Sequence, residues 1–131
     1  MTPSKLALDI VLALDPTLAN CYRDPEAYRV TLDGTPSPYP AFVCMEVHER
    51  ARLVDEQLTR RGALMPFVIT YRIESDDGSF TTQPGVLRRL TREDKIEESV
   101  RSWCEEFCPE WDPRIQPRIV IDHYEYANDE T

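Results

Sequence analysis

The chain has 131 residues, of which 24 are acidic and 15 basic, giving a formal net charge of −9. A chain of this size buries roughly two thirds of its unfolded surface on folding, and 41% hydrophobic with 30% charged residues excludes wholesale disorder. The acidity also argues against direct binding to nucleic acid or to anionic membranes, both of which need clustered Lys and Arg.

The longest apolar run, Ile10 to Leu14, falls far short of the ~20 residues of a spanning helix. Lys5 is the only basic residue before it and Asp9 interrupts it, so no signal peptide is expected. Cys21, Cys44, Cys104 and Cys108 are therefore expected as reduced thiols in a cytoplasmic protein. Residues 1–127 are expected to form one α+β domain and residues 128–131 an acidic, frayed tail.

In chain order, Thr2-Pro3 is a helix start, followed by a helix from about Pro3 to Leu14 whose apolar face is Leu6, Ile10 and Leu14 with Leu8 and Val11. Asp15-Pro16 ends it, Thr17 to Tyr22 adds a short turn, and Asp24-Pro25 breaks any continuation. Ala27 to Asp33 alternates as a strand does, with Tyr28, Val30 and Leu32 on one face, before Asp33-Gly34 opens a loop containing three prolines. From about Ala41 to Arg61 the period becomes 3.6, with a stripe of Val43, Val47, Ala51, Val54 and Leu58. Phe42, Met45 and Leu53 lie off that stripe, where they either pack on the N-terminal helix or mark a contact surface.

Phe67 to Ile73 is the strongest strand pattern, and Ser75 to Gly78 is a hairpin turn returning through a strand at Ser79 to Gln83. Thr91 to Asp94 resembles a capped helix start. Ile96, Val100, Trp103 and Phe107 then make a stripe, with Glu97 and Arg101 in the favourable i, i+4 order on the other side. Pro109 stops the helix, and a loop with Trp111 leads to a last strand, Arg118 to Tyr126. The order is that of a ferredoxin-like βαββαβ split arrangement with an N-terminal helical extension. The alternative is another two-layer α+β sandwich with an antiparallel meander.

No motif of nucleophilic, phosphate-cradling or zinc chemistry is present. His48 and His123 read as ordinary surface or half-buried residues. Cys104 and Cys108, four apart, lack further ligands of a metal site, so neither a metal nor a cofactor is expected. Asp33, at the end of the first expected strand, is the one weak catalytic candidate, because it resembles, in position only, the Asp with which some small ferredoxin-like nucleases hold a metal ion; an Asp-Gly turn is the favoured explanation.

The charge is unevenly spread, since 12 of the 24 acidic residues lie beyond Leu90 with only five basic ones. The leading expectation is a non-enzymatic regulator, adaptor or inhibitor that binds a basic protein partner through this acidic third. Glu93, Glu97, Glu98, Glu105 and Glu106 would steer the partner and Trp111 would be the apolar anchor. A nucleic-acid-mimicking inhibitor of the kind that mobile genetic elements encode is one form of it. The alternatives are a small metal-dependent hydrolase or nuclease using carboxylates such as Asp33, and a homodimer acting as a small-molecule sensor.

Overall fold

Proline punctuates the N-terminal helices as its chemistry requires. In the computed structural model, which describes residues 1–128, Ser4 caps α1 (Lys5–Leu14), and its Oγ accepts the Ala7 amide at 3.1 Å. Asp15 both closes α1 and caps α2 (Pro16–Arg23), accepting the Leu18 amide at 3.2 Å, with Pro16 in the first turn where a missing N–H costs nothing. The cap is thus Ser4 rather than Thr2. The buried face of α1 is Ala7, Val11 and Leu12, while Leu6 and Leu14 are exposed.

The chain divides into two compact units, Pro3–Leu58 and Met1–Thr2 with the chain from Thr59 onward. In the first, the long helix α3 (Tyr39–Arg60) buries Val43, Val47 and Ala51 in a cluster with Ala7, Val11, Ala19 and Cys21. Small side chains dominate this cluster, which lets helices approach closely. Phe42, Met45 and Leu53 are exposed, so they do not pack on the N-terminal helix.

The strand expected at Ala27 to Asp33 does not form. Pro25–Tyr28 is a 3₁₀ turn, followed by a small loop that closes on itself through Thr31 N–H to Thr35 O at 2.9 Å and a single bridge between Val30 and Pro36. The physical reason is the absence of a partner. The facing segment holds Pro36, Pro38 and Pro40, which remove ladder donors, and Val30 and Leu32 remain exposed with no sheet to cover them.

The second unit is an antiparallel three-stranded sheet in the order β2-β1-β3. Its centre is β1 (Met65–Ser75), where every second residue from Met65 through Phe67, Ile69, Tyr71 and Ile73 to Ser75 is buried. At the turn that follows, Gly78 takes φ 75°, open to glycine at no steric cost. The returning chain at Ser79 to Gln83 makes only the Glu74–Thr81 bridge. The register then moves by one residue, and the regular partner of β1 is β2 (Gly85–Thr91), from Tyr71 opposite Gly85 to Met65 opposite Thr91.

Alternation fails to announce β2 because Val86 and Leu90 point outward and are exposed, while Arg89 points inward and donates to Ser99 Oγ at 3.1 Å. Gly85 lies under the Tyr71 ring, where an added Cβ would sit 2.8 Å from Cζ. Thr91 ends β2 and caps no helix; a 3₁₀ turn, Glu93–Lys95, leads into α4 (Ile96–Phe107).

The buried stripe of α4 is Ile96, Val100 and Cys104, strictly i, i+4, so Cys104 belongs to its centre and Phe107 is exposed beyond it. This helix lies against β2 and β3 (Pro117–Tyr126), and Phe67 stacks on Tyr126 with ring centroids 5.0 Å apart. Among the described residues the protein is therefore an α+β fold of four α-helices and a three-stranded antiparallel sheet. The ferredoxin-like order needs a fourth strand before α3, and the described residues form a helical turn there instead. A meander is likewise not formed, because β1 lies between β2 and β3. In the expected tail, Asp129, Glu130 and Thr131 lie outside the described residues.

Candidate functional site

The residues expected to carry function lie mainly on α4 and the loop after it, and the fold treats them unequally. Glu93 is drawn inward, accepting from Thr59 Oγ1 at 3.0 Å and from the Tyr124 hydroxyl at 3.0 Å. Burial, and behind it this carboxylate, pushes the Tyr124 phenol above its ordinary pKa. Glu93 therefore joins Thr59 to Tyr124 within the second unit and is not a free surface charge. Glu98 is partly neutralised by Lys95, 3.4 Å away.

Glu97, Glu105 and Glu106 are exposed, and no basic side chain of the described residues pairs with them. On a helix of 3.6 residues per turn, Glu97, Arg101 and Glu105 follow one flank, Glu98 lies on the outermost line, and Glu106 falls on the other flank. The Arg101 guanidinium that sequence spacing offers to Glu97 instead lies over the Trp111 ring, 5.9 Å from its centroid. Half-buried, Trp111 is held against the helix by that contact and by its amide, which donates to Cys108 O at 3.1 Å.

An aromatic group missed by the sequence reading stands beside these carboxylates. Trp103 and Phe107, one turn apart, meet at 5.8 Å between centroids, and Trp103 touches Tyr71 edge-on at 6.4 Å. Their i, i+4 spacing is visible in the sequence, but it reads as core. It becomes surface only because Phe107 is 60% exposed.

Elsewhere many acidic side chains are matched. Arg52 bridges Glu49 at 2.7 Å and Glu56 at 3.4 Å, Arg50 bridges Asp15 and Glu46, Arg72 holds Asp122 with two bonds at 2.8 and 2.9 Å, and Arg118 meets Glu74 at 2.7 Å. The unpaired carboxylates of α4 contrast with that pattern.

Asp33 is exposed and occupied by its own loop, accepting from the Thr31 hydroxyl and from the Thr35 hydroxyl and amide at 2.8 and 3.2 Å. These bonds, the Thr31 hydroxyl first, lower its pKa. No group of three or more His, Cys, Asp and Glu side chains able to hold a metal ion occurs among the described residues, and no helix there is long and apolar enough to cross a membrane. All four cysteines are free thiols. No protein-family model matches the chain, and neither a curated protein nor a solved structure matches it.

Proposed function

We propose that the protein is a small acidic binding protein whose partner carries a basic surface, docking on the outer face of α4 and the aromatic residues at its C-terminal end. The observation supporting this reading is the trio Glu97, Glu105 and Glu106, left without cations on a rigid helix in a chain that pairs many of its other carboxylates. Like charges one or two helical turns apart repel each other, and a basic partner relieves that repulsion while releasing its own counterions. Steering falls to these three residues with Glu98, and desolvation of Phe107 and Trp111 supplies the apolar part of the affinity. A protein whose groove ordinarily holds phosphates is one partner of this chemistry.

The test is affinity capture from the native host with wild-type protein and with the Glu97→Lys, Glu105→Lys, Glu106→Lys triple variant, over a series of salt concentrations. Wild-type capture should weaken steeply with salt, and the variant should lose the partner while its circular dichroism stays unchanged. Equal capture by the triple variant at every salt concentration refutes the proposal.

A further inference from the structure

One cluster outside the acidic surface joins a nucleophile to a base and the base to an orienting group. Cys44 and His48 are four residues apart on α3, and the Cys44 sulfur lies 4.0 Å from His48 Nδ1. The opposite ring nitrogen, Nε2, lies 3.0 Å from the Tyr22 hydroxyl of α2, and the two rings meet edge-on at 5.7 Å. Tyr22 is half-buried against the helical core of this unit, so the hydroxyl that fixes the imidazole is itself fixed. The chain of contacts, thiol to imidazole to phenol, is the arrangement that activates a cysteine.

The other thiols sharpen the contrast. Cys21 and Cys104 are buried, and Cys108 is half-buried with its sulfur 3.7 Å from the Tyr71 hydroxyl. Cys44 alone among the four is exposed. The charged residues nearest to them along α3 are paired with one another, Glu46 with Arg50 at 2.9 Å and Glu49 with Arg52 at 2.7 Å, and Arg50 also meets Asp15 at 3.1 Å, which leaves the imidazole to the thiol.

We propose that Cys44, with His48 as its base and Tyr22 as the positioning residue, is a thiol–disulfide exchange site that accepts small disulfides. With the Nε2 proton donated to the Tyr22 oxygen, the Nδ1 lone pair faces the thiol. His48 takes the thiol proton as the Cys44 sulfur attacks one sulfur of the disulfide. A new S–S bond joins Cys44 to that sulfur, the original S–S bond breaks, and the departing thiolate collects the proton from the imidazolium. No net proton or electron is left over, and the product is a mixed disulfide on α3. While protonated, the imidazolium donates from both nitrogens, to sulfur and to the phenol oxygen. Burial, followed by the charge on Cys44, raises the Tyr22 pKa and keeps that phenol neutral.

The surroundings select this substrate class. Acyl transfer needs free donors for an oxyanion, but Cys44 is the sixth residue of α3, beyond the first turn, and the amides around it are committed to the helix. Disulfide exchange asks only for in-line access and a proton donor for the leaving sulfur, both of which an exposed helix side with a neighbouring imidazole provides.

The experiment follows the folded full chain with 5,5′-dithiobis(2-nitrobenzoate) and, separately, with oxidised glutathione, locating the adduct by peptide mass. The adduct should form on Cys44 first and be lost in Cys44→Ser. At pH 7, His48→Gln should slow the reaction about tenfold with both probes, and Tyr22→Phe should slow it less. In strongly alkaline buffer, where thiols ionise unaided, the wild-type and His48→Gln rates should converge, which a change of access alone would not produce. First modification at Cys108, an unchanged rate in His48→Gln at pH 7, a deficit persisting in alkali, or acceleration confined to the aromatic probe each overturns the proposal.

Discussion

Asp55 is a carboxylate at a helix position that the 3.6 period assigns to the core, four residues beyond the fully buried Ala51, and it is only 6% exposed. Its two oxygens accept from Ser4, the backbone N–H reaching Oδ2 at 2.8 Å and the hydroxyl reaching Oδ1 at 2.5 Å. Ser4 is itself buried and its hydroxyl caps α1 by accepting the Ala7 amide. One carboxylate thus anchors the start of α1 to α3 across 51 residues of chain. Asp55→Ala strands two buried donors, at about 1–3 kcal/mol each, while the variant no longer has to desolvate a carboxylate. The net expected loss is about 2–4 kcal/mol, against about 1–2 kcal/mol for Ser4→Ala, which keeps the backbone donor and loses the cap.

Because both substitutions break the same Oγ to Oδ1 bond, their costs should fall short of additivity by about 1 kcal/mol or more in a double-mutant cycle. Urea unfolding followed by helical circular dichroism, with amide exchange at Ala7 as a local probe, measures all four corners. A loss below about 0.5 kcal/mol in Asp55→Ala, or strict additivity of the pair, would refute the latch, since stranded buried donors cost at least that much.

Two further outcomes follow from the second unit. Gly85→Ala places a methyl 2.8 Å from Tyr71 Cζ and 2.9 Å from its hydroxyl oxygen, so the ring must leave its place beside Trp103 and Cys108, at a cost of about 1–3 kcal/mol; an unchanged denaturation midpoint would count against that packing. At the hairpin, the Ser79 hydroxyl, the Ser79 amide and the Ser75 hydroxyl all donate to Asp77 and hold its pKa down to about 2. A depressed carboxyl contributes stability that is present above its unfolded value of 3.8 and lost as pH falls toward 2. Asp77→Asn should therefore lose that stability at neutral pH and flatten the acid limb of the stability curve between about pH 4 and 2, where variant and wild type converge; an acid limb identical to wild type would show that the turn does not hold the carboxylate.

How much was legible beforehand depended on whether a residue's surroundings were local. The alternation of Phe67 to Ile73 and the 3.6 period of α3 identified the central strand and the long helix, because both patterns arise from burying one face of one element. Ala27 to Asp33 carried the same alternation and formed no strand, since a strand exists only through hydrogen bonds to a second one and its neighbour is rich in proline. β2 failed in the opposite sense, as its outward face carries Val86 and Leu90 and its inward face Arg89.

The candidate residues divided along the same line. Spacing placed Glu97, Glu105 and Glu106 on the solvent side of α4, and they are exposed there. Glu93 looked equivalent, yet Thr59 and Tyr124 claim it from elements 34 and 31 residues away. His48 gave no signal beyond its spacing from Cys44, because Tyr22, 26 residues earlier, supplies the contact that orients its ring.

By itself the sequence determined the balance of charge, its concentration beyond Leu90, the helical and extended periods and the turns at proline and glycine, since each is a property of neighbouring residues. Tertiary structure alone decided which carboxylates remain available. Asp55 and Glu93 are consumed by donors far away in the chain, whereas Glu97, Glu105 and Glu106 meet none among the described residues. A carboxylate's role is set by the donors within about 3 Å of it, and only folding brings those donors there.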